Sequence, residues 1–215
     1  MAEYDAIARE YRASKRLPFR EYVERYTLFE LLGDLRGKTV LDLACGDGFY
    51  TRVLRQCGAL EVTGVDISEG MIDLAEAQER RHPLGCRYVC ADVAEFEARE
   101  QVDLVVAVYL LNYAGTPDQL QRFCLAAHGA LRAGGRFVGL NNNVNNVAVR
   151  GGSLREYGLE RTWERPLAEG DVIRYTMFNA DGAQFGFDNF YLRPQTHEVA
   201  FERAGFRDFR WIDVA

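Results

Sequence analysis

The sequence predicts an α/β fold in which a mostly parallel sheet is flanked by helices. Three observations carry that expectation. First, Val40 to Leu43 is an apolar run that stops at a small-residue turn, Ala44-Cys45-Gly46-Asp47-Gly48, and a helix-like stretch from Thr51 to Cys57 follows. Second, strand-like and helix-like segments alternate between residues 39 and 140 at the spacing of right-handed crossovers. Third, Val102–Tyr109 is rich in valine, as a strand buried on both faces should be.

Each element follows from its own pattern. Tyr4 to Leu32 has helical periodicity divided by Pro18, and its second piece, Phe19–Leu32, reads as an amphipathic helix. Thr39–Leu43 is the first strand and Gly48–Cys57 a helix. Glu61–Asp66 is the second strand, with a helix over Glu69–Arg80. Cys86–Cys90 and Val102–Tyr109 are the third and fourth strands. Pro117–Leu131 is a helix before Gly134-Gly135, and Arg136–Leu140 the fifth strand.

After Leu140 the alternation ends. An asparagine-rich stretch, Asn141 to Gly152, leads into residues with no clear period. Val172–Phe178 and Phe185–Leu192 then read as an antiparallel pair across Asn179-Ala180-Asp181-Gly182. Gln195–Ala204 is a helix stopped by Gly205, and Phe206–Val214 is expected as a last strand. The chain is thus expected to be one domain: a helical cap (1–36), a ligand-binding core (37–140), a late β insertion (141–194) and a final helix and strand (195–215).

Composition narrows the function. With 215 residues, 48% hydrophobic and 27% charged, the chain has the profile of a globular domain with a sizeable core. A net charge of −6 argues against a nucleic-acid groove. No apolar run approaches the ~18 residues of a membrane span, and residues 1–20 lack the apolar core of a secretory signal. Five cysteines, scattered in apolar or turn segments, fit a reducing cytoplasmic setting better than a disulfide framework. Neither Cys86 and Cys90 nor the three histidines have metal-ligand spacing, so no metal is expected.

Three carboxylates point to the kind of ligand. Asp42 precedes the glycine turn. Asp66 ends the second strand, where a carboxylate can accept both hydroxyls of a ribose. Asp92 follows the third strand, placed to accept from an exocyclic amine. A dinucleotide fingerprint wants a small residue at position 51, but Phe49-Tyr50-Thr51 is bulky where a diphosphate needs room.

Four ordered segments, Val40 to Gly48, Gly64-Val65-Asp66-Ile67-Ser68, Ala91-Asp92-Val93 and Leu131 to Phe137, resemble the motifs of class I S-adenosylmethionine-dependent methyltransferases. The resemblance implies a Rossmann-like sheet of order 3-2-1-4-5-(7)-6 and S-adenosyl-L-methionine as cofactor, with S-adenosyl-L-homocysteine as product. It also implies roles. Ala44, Cys45 and Gly46 pass their backbone under the methionine tail, with Asp42 facing the cofactor. Asp66 takes the ribose, Ile67 and Met71 pack on the adenine, and Asp92 and Val93 address its edge. The backbone at Ala107 and Val108 meets the methionine amino group, and Tyr11 of the cap contacts the cofactor. Ala44 stands where that family often has a glycine.

The acceptor side is expected from the ends of the fourth and fifth strands, the cap and the insertion. Those places hold Tyr4, Tyr11, Tyr109 to Tyr113, Asn141 to Asn143 and Phe187 to Tyr191, aromatic walls with amides that suit a flat polar heteroaromatic. The Tyr4 opening, the Asn112-Tyr113 loop and the phenylalanines before the last helix resemble small-molecule N-methyltransferases of the toxoflavin-biosynthesis type. That likeness implies Tyr4 over the methyl, Tyr109 against the substrate ring and Asn141 as a further positioning residue. Nothing resembles the Asp/Asn-Pro-Pro-Tyr signature of nucleic-acid and protein N-methyltransferases. A nicotinamide-dependent oxidoreductase and an inactive cofactor-binding scaffold are the competing readings. Such methyltransferases end in a strand hairpin, whereas this sequence stops after its apparent first arm. The expectation is that following residues were removed or that another segment fills the slot.

Overall fold

The computed structural model describes residues 11, 14, 17, 19–144, 154–164, 166–179 and 182–213. A π-helical segment, Phe19–Glu24, runs into helix α1, Arg25–Leu32. The alternating core follows: β1 Thr39–Leu43, α2 Phe49–Gln56, β2 Glu61–Asp66, α3 Glu69–Arg81, β3 Arg87–Cys90, β4 Val102–Val108, α4 Pro117–Ala130 and β5 Leu131–Leu140. Three antiparallel strands, β6 Leu159–Thr162, β7 Val172–Phe178 and β8 Gln184–Phe190, precede helix α5, Pro194–Ala204.

The five core strands form one sheet of order β3-β2-β1-β4-β5, parallel as the β/α spacing predicts and, for those strands, in the order that the resemblance implies. Alternate residues of β1 and β4 divide between its two faces. Leu41, Leu43, Val105 and Ala107 pack with Phe123 of α4 and Phe201 of α5. Val40, Leu104, Val106 and Val108 pack with Leu28 and Leu32 of α1 and Leu54 of α2. Both faces are covered, which is why β4 reads as a continuous valine run. Helix ends carry local signals: Ser68 accepts from the Met71 amide, Thr116 from the Gln119 amide, and Gly205 closes α5 at φ 101°.

The second sheet, β6-β7-β8, covers a third apolar cluster of Tyr11, Leu17, Met71, Ile173, Tyr175, Met177, Phe185 and Phe187. Its strands β7 and β8 alternate buried and exposed residues, so only one face is packed. The strand β6 has no counterpart among the predicted elements. It is four residues long, and its charged Glu160 and Arg161 hide the alternation.

Two expectations are corrected. Phe206–Val214 forms no strand among its described residues, and the sheet positions expected beyond β5 are not formed by them. Asp208 takes φ 59°, which breaks an extended run, and the aromatic side chains turn back onto α5 instead of alternating across a sheet. Phe206 and Phe209 lie 5.1 and 4.8 Å from Phe201, and Trp211 5.5 Å from His197, ring to ring. The Phe19–Leu32 helix is likewise not one regular helix, because its first six residues are π-helical, a geometry enriched at functional sites. Tyr4, most of the first cap piece and residues 145–153 lie outside the described residues.

Candidate active site

The glycine turn is built by backbone conformation. Ala44, Gly46 and Gly48 have φ of 58°, 56° and 76°, so β1 turns sharply into α2. Ala44 takes this left-handed geometry despite its Cβ, at a cost of roughly 1–2 kcal/mol. A Cβ placed on Gly46 would meet nothing within 4 Å, so this backbone faces open space. Gly48 differs: a Cβ there would sit 2.6 Å from the Tyr88 hydroxyl, because the ring from β3 lies over it.

Asp66 ties the turn to the end of β2. Its Oδ2 accepts from the Gly46 amide at 2.8 Å and its Oδ1 from the Ser68 amide at 2.9 Å. The Cys45 amide donates to the Val65 carbonyl at 3.0 Å, completing the stitch. Below the turn, the Thr51 hydroxyl donates to Asp42 Oδ2 at 2.6 Å with both side chains buried. Asp42 thus braces strand against helix, and the bulk of Thr51 is taken up in that bond. Cys45 is buried among Asp42, Asp66 and Asp47; burial first and those carboxylates second push its thiol well up, so it stays protonated.

Of the remaining predicted cofactor residues, Ile67, Asp92, Val93, Ala107 and Val108 gather at the same strand ends. Ile67 is 57% exposed directly after Asp66. The Ala91 amide donates to the Asp66 carbonyl, which sets Asp92 alongside. Asp92 Oδ1 accepts from the Ala94 amide at 2.8 Å and caps a short 3-10 turn that contains buried Val93. Ala107 and Val108 bury their side chains on opposite sheet faces, which leaves backbone as what they offer at the end of β4. Met71 and Tyr11 sit together in the cluster beneath the second sheet.

Beside this rim lies a cleft lined by Tyr11 and Arg20 of the cap, Tyr109, Tyr113 and Asn142 of the core, and Tyr175, Phe187 and Asn189 of the second sheet, among others. Tyr175 and Phe187 stack at 5.5 Å with an interplanar angle of 4°. The Asn142 amide nitrogen donates to Asn189 Oδ1 at 3.2 Å, and Asn112 Oδ1 accepts from the Asn142 backbone at 3.2 Å. Asn141, next to them, has both side-chain polar atoms buried with no hydrogen-bond partner among the described residues.

Tyr109 has φ 68°, uncommon for a bulky residue, and its hydroxyl donates to Glu24 Oε1. The Arg20 guanidinium lies 5.4 Å from the Tyr11 ring centre and 5.8 Å from that of Tyr109. Burial, then Glu24, hold the Tyr109 phenol well above its ordinary range. Sequence reasoning placed Tyr11, Tyr109, Tyr113, Phe187 and Asn189 here but missed Arg20, Glu24, Tyr175 and Met177. An opposite-charge pair four residues apart, Arg20 and Glu24, in a stretch with helical periodicity was the available signal.

Residues 40–135 match the family model described as a methyltransferase domain. That match spans a little under half of the chain. Similarity to known enzymes is likewise partial. The ubiquinone biosynthesis O-methyltransferase of Coxiella burnetii is 33% identical over 112 residues, 51% of this chain and 46% of that enzyme. The N-demethylindolmycin N-methyltransferase of Streptomyces griseus is 25% identical over 169 residues, 79% of this chain and 69% of that one. The chain spans about half the length of most curated relatives it matches. An S-adenosylmethionine-dependent methyltransferase from Clostridium acetobutylicum superposes with a TM-score of 0.68 at 20% identity, covering 91% of this chain and 86% of that one. At that identity the likeness shows a shared fold. Among the described residues no helix is long and apolar enough to cross a membrane, and no cluster of His, Cys, Asp or Glu is arranged to hold a metal.

Proposed function

We propose that the protein transfers a methyl group from S-adenosyl-L-methionine to a small, flat aromatic or heteroaromatic acceptor. The observation that carries this reading is the Asp66 carboxylate, held by the Gly46 and Ser68 amides beside open backbone and next to an aromatic cleft. A carboxylate fixed in this way is organised in advance for paired ribose hydroxyls, with little left to order on binding. Asp92 and Ile67 flank it, suited to the amine and the face of an adenine. Open space over Gly46 fits an amino-acid tail, whereas the Tyr88 ring over Gly48 occupies the place where a pyrophosphate would approach. This weighs against the nicotinamide reading. Bound there, the cofactor supplies an activated methyl; the protein's part is to align the acceptor and exclude water, which can provide up to about 7–11 kcal/mol of the barrier.

Tyr11, Tyr175 and Phe187 provide apolar walls for a ring, and Asn142 and Asn189 provide polar edges. These features fit the natural-product acceptor that the toxoflavin-type likeness implies. Tyr4 over the methyl and Asn141 toward the acceptor belong to the same proposal. Calorimetry should give S-adenosylhomocysteine binding and none for NAD. Labelled methyl from S-adenosylmethionine should then reach at least one member of a panel of aryl hydroxyls and heteroaromatic amines. Binding of NAD in place of S-adenosylhomocysteine would overturn the cofactor assignment, and binding without any transfer would favour an inactive scaffold.

A further inference from the structure

A neutral amine needs no base before it attacks a methyl sulfonium; a hydroxyl does. A buried carboxylate, Glu24, stands behind the wall of the cleft. Arg20 and Glu24, each 6% exposed, are held against Tyr109, whose ring belongs to a segment 85 residues away from Glu24. Glu24 Oε1 accepts from the Tyr109 hydroxyl, and Glu24 Oε2 is buried with no hydrogen-bond partner among the described residues. Burying ionised groups is costly, and so is a tyrosine at φ 68°; strain of this kind clusters at functional sites. Tyr109 and Arg20 line the cleft, whereas Glu24 stands behind them.

We propose that Tyr109 and Glu24 form a proton relay for an acceptor hydroxyl, so that the methylated atom is the oxygen of an aromatic or enolic hydroxyl. The proposal rests on the methyl-transfer reading above. In the step, the acceptor hydroxyl gives its proton to the Tyr109 oxygen while Tyr109 passes its own to Glu24 Oε1. The acceptor oxygen forms the new bond to the methyl carbon, and the methyl–sulfur pair stays on sulfur, cancelling the sulfonium charge. The proton rests on Glu24 and returns to solvent when product leaves. Arg20 supplies the positive charge beside the carboxylate and the oxygen. Burial pushes the phenol of Tyr109 upward, so it does not hold the charge itself. Tyr109 is the catalytic residue of the pair and Glu24 acts through it.

The test uses the full chain saturated with S-adenosylhomocysteine, and 4-nitrophenol as probe, at a pH where the free probe is mainly neutral. In the wild type the bound probe should absorb as phenolate, with its ratio of ionised to neutral form raised at least about tenfold over the free probe. Calorimetry in two buffers of different ionisation enthalpy should show no proton released, because Glu24 keeps it. In Glu24→Gln that retention should vanish: the probe stays neutral or its proton appears in the buffer. Tyr109→Phe, which keeps the ring, should behave likewise and serves if Glu24→Gln no longer binds S-adenosylhomocysteine. A neutral probe in the wild type, a released proton there, variants that match the wild type, or no probe binding would each overturn the relay. Failure of the wild type to bind S-adenosylhomocysteine would overturn the cofactor reading, and the relay with it.

Discussion

The parallel sheet and the antiparallel sheet differ in how they are packed, and the difference divides the labour of the site. The five parallel strands are covered on both faces, and their C-terminal ends hold the glycine turn, Asp66 and Asp92 through backbone hydrogen bonds. Their geometry is set by main chain and hardly depends on which side chains surround it. The antiparallel strands are covered on one face only, and that face presents Tyr175, Met177 and Phe187 to the cleft. There, side chains set the shape. A half whose geometry is set by main chain is joined to a half whose lining is set by packed side chains.

The largest effect expected is in the one-sided half. Phe187→Ala removes one partner of the stacked pair and should lower unfolding stability by about 3–5 kcal/mol in denaturant titrations. If the halves are separable, affinity for S-adenosylhomocysteine should change by no more than about 0.5 kcal/mol where the protein remains folded. A large loss of that affinity would break the comparison.

The converse variant is Asp66→Ala. Removing a carboxylate that accepts from two backbone amides and is proposed to take two ribose hydroxyls should weaken S-adenosylhomocysteine binding by about 2–4 kcal/mol, roughly 30- to 800-fold. Binding of an aromatic probe such as 4-nitrophenol should be touched less. Unchanged cofactor affinity by calorimetry would remove Asp66 from the site.

The smallest effect sharpens the comparison at the flank of the parallel sheet. Burial holds His197 of α5 below its ordinary 6.5, so the folded state keeps it neutral while the unfolded state takes up a proton first as the pH falls. The folded value is the depressed one, so stability should fall as pH drops below 6.5 toward that value, with no penalty from this group above 6.5. Thermal melts across this window should show a shallower acid slope for His197→Gln than for the wild type. Equal slopes would assign the acid sensitivity elsewhere.

How much was legible in the sequence follows the same division. Strand–turn–helix order, both glycines of the turn, Asp66 and Asp92 could be read directly, because each lies within a few residues of the signal that places it. The same locality made β7 and α5 legible almost residue by residue. Phe206–Val214 was misread because its apolar and aromatic residues satisfy a strand pattern equally well when folded back onto Phe201. The strand β6 was missed because four residues with two charges carry too little pattern, and its pairing with β7 decides its state.

By itself, then, the sequence determined the parallel core and the candidate cofactor rim, since periodicity, glycine conformation and strand-end carboxylates are local properties. Only the tertiary structure decided the aromatic cleft. Arg20 and Glu24 of the cap, Tyr109 after β4, and Tyr175 and Phe187 of the second sheet are far apart along the chain, and no local rule brings them together. Burial of two sheets and a cap against one another does, and it also sets a carboxylate against a strained tyrosine.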